Sequence, residues 1–302
     1  MSKLLVFGPA RTVETLTLPA ASSVNAEGLS YETVLGGHGE TVAVALARLG
    51  TRSVFCGRVG DDSGGKRLAR LLDSAGVDLS VFHVDRSAQT GHLVLESVGG
   101  SITRRILFPG ADSRLSEDEV SNAFLTSPDG VAVTTEVPAA ALCRIASLAE
   151  ERGIPLFLLH TSGEIDTPPL PPLEAFVTDE PTAEAMTGIR PGNADTCLQV
   201  AIELQKRVKA RYFIIRLGER GAFLYDGTYC HMVNSYIVRE ADSRGADEAF
   251  FAALIAEYMR PEREILPALT FAAAASALTT TRRGEAISPP TDEEVFAFLE
   301  RN

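Results

Sequence analysis

Short, almost wholly apolar runs alternate along this chain with longer segments of helical period, and this alternation limits the fold more than any other feature. The runs are residues 4–7, 53–56, 130–134, 155–159 and 212–216. Such runs have no polar face, so a strand built from one needs cover on both sides. Helical segments lie between them at 40–49, 66–75, 138–152 and 194–208, the third ending before Gly153 and the second at Gly76. In the first of these, Val42, Ala45, Leu46 and Leu49 fall on one face. Strands alternating with helices predict a doubly wound α/β fold: a mainly parallel sheet with helices on both faces. The C-terminal third reads as helical. Segments 249–259 and 268–279 are strongly apolar, and a last helix starts at Thr291 with Glu294 three residues on, a capping box.

Two stretches depart from this rhythm. Residues 11–34 and 86–108 contain partly alternating segments, such as Thr15-Leu16-Thr17-Leu18 and His92-Leu93-Val94-Leu95-Glu96. These suit antiparallel strands wetted on one face, and Gly99-Gly100 suits a tight hairpin between two of them. The expected division is a main α/β domain of residues 1–10, 35–85 and 109–302, with a small β lid of 11–34 and 86–108. An exposed apolar face on such a lid marks an interface, so a homodimer built on it is expected.

The formal net charge of −12 and a pI near 5.0 argue against nucleic acid or an anionic membrane as main partner. No run of 18 apolar residues is present. The N-terminal apolar run is cut short by Gly8 and reads as a first strand rather than a signal peptide. Cys56, Cys143, Cys197 and Cys230 form no C-x-x-C pair. They read as reduced core thiols of a cytoplasmic protein rather than disulfides or metal ligands. His38, His83, His92, His160 and His231 show no metal-ligand spacing, and His38 is the best placed of them to touch a ligand.

Two glycine-rich segments precede helices. Gly36-Gly37-His38-Gly39 leads into the helix at 40–49, and Asp242-Ser243-Arg244-Gly245-Ala246-Asp247-Glu248 leads into the one at 249–259. Glycines at a helix start allow close backbone approach to a ligand, whose polar groups meet free N–H donors. Read from spacing alone, each is equally a plain turn into a capped helix.

The second segment, through Phe250, resembles the Asp-Thr-Thr-Gly-Ala-Gly-Asp-Ala-Phe signature of the PfkB/ribokinase family of small-molecule kinases. The run Gly36 to Gly50 is similar to that family's first signature, whose Gly-Gly binds sugar hydroxyls. Gly60-Asp61-Asp62, Thr90-Gly91, Gly110-Ala111-Asp112 and Gly218-Glu219-Arg220-Gly221 follow in the family's order. The resemblance implies a ribokinase-like fold and transfer of the ATP γ-phosphate to a hydroxyl of a sugar or nucleoside, with Mg²⁺. It implies that Glu248 is the base and that Gly245, Ala246 and the Asp247 backbone form an anion hole, with Arg244 neutralising phosphate charge. Gly218, Gly221 and Asp179 fall at nucleotide-binding positions. Gly36, Gly37, Thr41, Glu14 and Arg104 fall on the substrate side.

The departures from the family pattern cluster at these same positions. Asp247 stands for Gly, Glu248 for the catalytic Asp, Thr41 for a substrate-binding Asn, and Thr182 for a metal-linked Glu. Val13, with Glu14 beside it, stands for a substrate-binding Asp, and His160 for an Asp or Asn. These changes keep open a non-catalytic member of the family, a homodimer that binds a small ligand. A Rossmann dinucleotide enzyme needs G-x-G-x-x-G after the first strand, and Gly8-Pro9-Ala10-Arg11-Thr12 lacks it.

Overall fold

A computed structural model describes residues 1–19, 27–161, 165, 167–262 and 264–302. The chain opens with strand β1 (Lys3–Phe7), then β2 (Arg11–Leu18) and β3 (Ser30–Gly36), helix α1 (His38–Arg48), and strands β4 (Arg52–Cys56) and β5 (Arg58–Gly60). Helix α2 (Ser63–Ser74), strands β6 (His83–Asp85), β7 (Gly91–Val98) and β8 (Ser101–Phe108), and helix α3 (Glu117–Ala123) follow. Next come β9 (Gly130–Thr134), α4 (Ala139–Glu151), β10 (Leu156–His160), β11 (Leu173–Asp179), α5 (Glu180–Thr187), α6 (Ala194–Gln205) and β12 (Ala210–Arg216). The chain closes with β13 (Ala222–Tyr225), β14 (Cys230–Val233), α7 (Ala246–Tyr258), α8 (Ile265–Thr280) and α9 (Asp292–Leu299).

The main sheet has the order β14-β13-β12-β11-β10-β9-β1-β4. From β12 to β4 every neighbouring pair is parallel, and β13 and β14 add an antiparallel edge. The apolar runs explain this arrangement. In β1, Leu4 and Val6 pack into one core with α1, α7 and α8, while Leu5 and Phe7 pack into a second with α3, α4 and α6. Side chains alternate across a strand, so a four-residue apolar run supplies both cores at once. Phe251 of α7 is fully buried, and truncating a side chain of that size costs about 3–5 kcal/mol.

All six parallel strands end on the same edge, at Phe7, Cys56, Thr134, His160, Asp179 and Arg216. Asp179 lies in register with Arg216, and His160 with Thr178. In open α/β sheets ligands bind beyond this carboxyl edge, and the candidate site residues gather there.

The small sheet has the order β3-β2-β7-β8. It is not antiparallel throughout, as the sequence pattern suggests. β2 and β7 run parallel at its centre, and each pairs with an antiparallel outer strand. Both central strands leave the main body in the same direction, β2 directly after β1 and β7 after Thr90, and each is followed by an antiparallel partner, β3 and β8. Gly99 and Gly100, with φ of 59° and 85°, make the β7–β8 turn. Residues 20–26, within the first expected lid stretch, lie outside the described residues.

The capping box at the last helix is present, with Thr291 accepting from the Glu294 amide and Glu294 accepting from the Thr291 amide. β11 follows a proline-rich stretch and has no isolated apolar run, so the sequence pattern does not single it out. Cys56 and Cys197 are buried free thiols, but Cys230 is exposed because β14 is an edge strand. No described helix is long and apolar enough to cross a membrane.

Candidate active site

Helices α1 and α7 pack together, and their N-termini meet at the carboxyl edge of the sheet. α1 starts after Gly37 (φ 114°) and α7 after Gly245 (φ 81°), and neither glycine is assisted by a side-chain cap. His38, the first residue of α1, contacts the Glu248 carboxylate through Nδ1. Its Nε2 lies 3.6 Å from Glu136 Oε2 and 3.5 Å from Thr161 Oγ1. Glu136 accepts from Arg11 Nη1 at 2.6 Å, and Arg11 Nε donates to Asp112 at 2.6 Å. On the other flank, Glu248 lies in the field of Arg216, which pairs with Asp247. The sequence Asp112, Arg11, Glu136, His38, Glu248, Arg216, Asp247 thus forms a line of alternating formal charges across the site.

This line sets the ionisation of its centre. Burial alone drives the His38 imidazolium toward neutrality, but Glu248 and Glu136 outweigh it and raise the pKa to about 10. Glu248 is only 4% exposed. Burial favours its neutral form, yet the charge and hydrogen bond of His38 hold it below the usual carboxylate range. Burial lowers Arg216 to about 10, against the opposing pull of Glu248 and Asp179. Arg216 also donates to Ser276 Oγ at 3.0 Å, whose hydroxyl donates to the Ala246 carbonyl. Its guanidinium lies over the Phe250 ring.

Two further carboxyls border this line without a cation of their own. Glu40 is fully buried, and burial together with Glu285 pushes its pKa well above the ordinary value. Its Oε2 accepts weakly from Thr41 Oγ1 at 3.4 Å, and Oε1 has no hydrogen-bond partner among the described residues. Glu285 accepts from the Gly37 amide at 3.4 Å, and burial followed by Glu248 raises it to about 7. Its carboxyl sits against Gly36, where an added Cβ would lie 2.6 Å from Oε2.

The residues singled out in the sequence separate into three groups. Gly36, Gly37, Glu248, Asp247, Gly245 and Ala246 come together at the paired helix starts. Gly218 and Gly221 form a left-handed turn after β12, and Asp179 caps α5 by accepting from the Thr182 amide at 2.8 Å. The remainder are engaged elsewhere. Thr41 is fully buried. Glu14 faces His92 at 3.3 Å within the small sheet, and the exposed Arg104 faces Glu96 there at 3.6 Å. Arg244 is clasped by Asp242 at 2.7 Å and Glu32 at 3.0 Å, which tie it to β3. Sequence reasoning missed Arg11, Glu136, Arg216 and Glu285. Arg216 carried a usable signal: an arginine ending a strand buried on both faces requires an anionic partner.

The family described as pfkB family carbohydrate kinase matches residues 1–292. The chain belongs to the pfkB family of carbohydrate kinases. Among curated relatives, the ribokinase of Haemophilus influenzae is 27% identical over 276 residues, covering 90% of each chain. Fructokinase-1 of Zea mays is 27% identical over 313 residues, covering 94% of each chain. The solved structure of Arabidopsis thaliana ribokinase complexed with ribose and ATP superposes with a TM-score of 0.87 at 23% identity, covering 99% of each chain. Ribokinase from Cryptococcus neoformans in complex with ADP gives a TM-score of 0.82 at 23% identity, covering all of each chain. The fold is therefore ribokinase-like.

Measured against this pfkB frame, the α7 loop fits an anion. Any side chain at Gly245 would meet the Glu285 carbonyl oxygen at 2.6 Å, so the loop there is bare backbone, and the helix start carries positive partial charge. Asp247 does not cap that start, since its carboxylate pairs with Arg216 instead. No group of three or more His, Cys, Asp or Glu side chains among the described residues is arranged to hold a metal ion. The bare backbone at the start of α7 can meet an anion, and the described residues offer no protein cage for magnesium.

Proposed function

We propose that this chain transfers the γ-phosphoryl group of ATP to a hydroxyl of a sugar or nucleoside. The observation that carries this reading is Glu248. It is a buried carboxylate at the first turn of α7, kept ionised by His38, one turn from a bare-backbone anion loop and beside Gly36 and Gly37. A general base must be ionised and within reach of the proton it takes. Glu248 takes the proton from the acceptor hydroxyl. The N–H groups at Gly245, Ala246 and Asp247 hold the anion that develops on the transferred group. Arg216 neutralises Asp247, so that this carboxylate does not confront the phosphates alone. Gly218, Gly221 and Asp179 border the nucleotide. Magnesium carried on the nucleotide phosphates would supply neutralisation of their charge during transfer.

The rate is expected to be low. Glu248 is a methylene longer than the aspartate of the family pattern, and a displacement near 1 Å costs about 100-fold. Because Glu248 is ion-paired to His38, it is also a weaker base than a free carboxylate. The supporting test is a coupled ADP-release assay over pentoses, hexoses and nucleosides. Turnover above background but below about 1 per second is expected, at the slow end for enzymes. ATP binding without turnover on any acceptor would favour the non-catalytic reading.

The assembly we propose is a cytoplasmic homodimer formed through the small sheet. β8 is exposed along almost its whole length, and Tyr31, Ile102, Leu107 and Phe108 stand in solvent on its outer strands. Light scattering at micromolar concentration reads this directly, and a monomer rules it out.

A further inference from the structure

The acceptor side of the site has too many carboxyls for its cations. Glu136 and Glu248 share His38, and Asp112 shares Arg11 with Glu136. Glu40 and Glu285 are left over, and they lie close enough for each other's charge to matter. Glu285 covers Gly36 and reaches the Gly37 amide. Glu40 is fully buried with one oxygen unpartnered among the described residues. An unsatisfied buried carboxyl oxygen costs free energy, and a donor supplied by a ligand would remove that cost. A neutral hydroxyl satisfies one oxygen but brings no charge that would let the two acids ionise together. An ammonium group satisfies both and supplies the missing positive charge.

Resting on the kinase reading above, we propose that the acceptor carries an ammonium group, held by Glu40 and Glu285 beside Gly36 and Gly37. The substrate class is then an amino sugar rather than a neutral one. A linked consequence follows. Glu285 faces Glu248, His38, Arg244 and the Gly37 amide, and Glu40 faces Glu285, Glu248, His38 and Thr41. With both carboxyls inclined to hold protons in the free protein, binding of a cation expels protons to solvent.

Two measurements test this. The first compares kcat/KM for 2-amino-2-deoxyglucose with glucose, and for 1-amino-1-deoxyfructose with fructose. A preference for the amino member of at least about tenfold is expected, equivalent to about 1.4 kcal/mol. The ratio falls toward one in Glu40→Gln with Glu285→Gln, isosteric changes that keep the hydrogen-bonding shape. The second is calorimetry of the wild-type chain with the same sugars in two buffers of different ionisation enthalpy. Buffer-dependent heat for amino sugars only is expected, and it reads binding even if no phosphate is transferred. That outcome without turnover would retain this inference and remove the kinase reading. Preference for neutral sugars, absence of proton release, or an equal response to ammonium chloride alone would overturn it.

Discussion

Helix α1 starts after Gly37 and helix α7 after Gly245, both glycines in the left-handed region, and both helices place carboxylates in their first turn. The helix dipole favours a negative charge at either position. The outcomes nevertheless differ. In α7, Asp247 pairs with Arg216 and Glu248 with His38, and Glu248 stays ionised below the usual range. In α1, Glu40 forms no ion pair among the described residues, and burial outweighs the field of His38 and holds it toward the protonated form. The partial charge of a helix start does not offset the burial of a carboxylate. A full charge from another part of the chain does.

The comparison is broken most sharply by making the inner acid of α7 neutral as well. In Glu248→Gln, phosphoryl transfer should fall by about 100- to 10,000-fold, the usual contribution of a general base. His38 should also lose its main partner, and its imidazole should titrate well below the raised value that Glu248 and Glu136 together give it. Retained turnover would show that Glu248 is not the base.

Removing the outer acid tests the other half. In Asp247→Gly, Arg216 keeps its charge but has no ion pair, in a position only 8% exposed. ATP binding by calorimetry should tighten about tenfold, by roughly 1.4 kcal/mol. Stability should fall by about 1–3 kcal/mol, since a buried donor loses its acceptor. Unchanged affinity would show that Arg216 already cancels the Asp247 charge completely.

A pH series then separates the two helix starts. Glu285, beside α1, has its folded pKa raised from 4.5 to about 7. The folded state therefore binds the proton more tightly, and stability from this group is lost as pH rises across that window. His38 is raised from 6.5 to about 10, so its contribution is full below 6.5 and is lost as pH climbs toward 10. Urea midpoints should decline across both windows. Glu285→Gln should flatten the first limb and leave the second.

How much of this was readable beforehand follows from distance along the chain. The α/β alternation, the two glycine-led helix starts and the capping box at Thr291 are local patterns, and each appears in the fold where the pattern places it. The parallel centre of the small sheet was not local, because β2 and β7 meet only through the direction in which each leaves the main body. The ion partners were not local either. His38 and Glu248 are distant in sequence, and nothing around Asp247 announces Arg216. Residue types could be read in advance, but their ionisation depends on neighbours that only the packing supplies.

The smallest effect concerns a third helix start. α5 is capped in the ordinary way, with Asp179 accepting from the Thr182 amide. Asp179→Ala should cost about 1 kcal/mol, seen as a lower thermal midpoint. A larger loss in ATP affinity than in stability would move Asp179 from a structural cap to a nucleotide contact.

The parallel pairing of β2 with β7 also bears on the order in which the chain assembles. Arg11 aligns with Gly91 and Leu18 with Val98, so this ladder closes a loop that contains α1, α2 and four strands. Contacts of such long sequence separation repay their loop entropy only after the intervening chain is in place. Substitutions in the ladder should therefore accelerate unfolding and leave the refolding rate nearly untouched. The surface on which the dimer is proposed to form is, on this account, among the last parts of the monomer to exist.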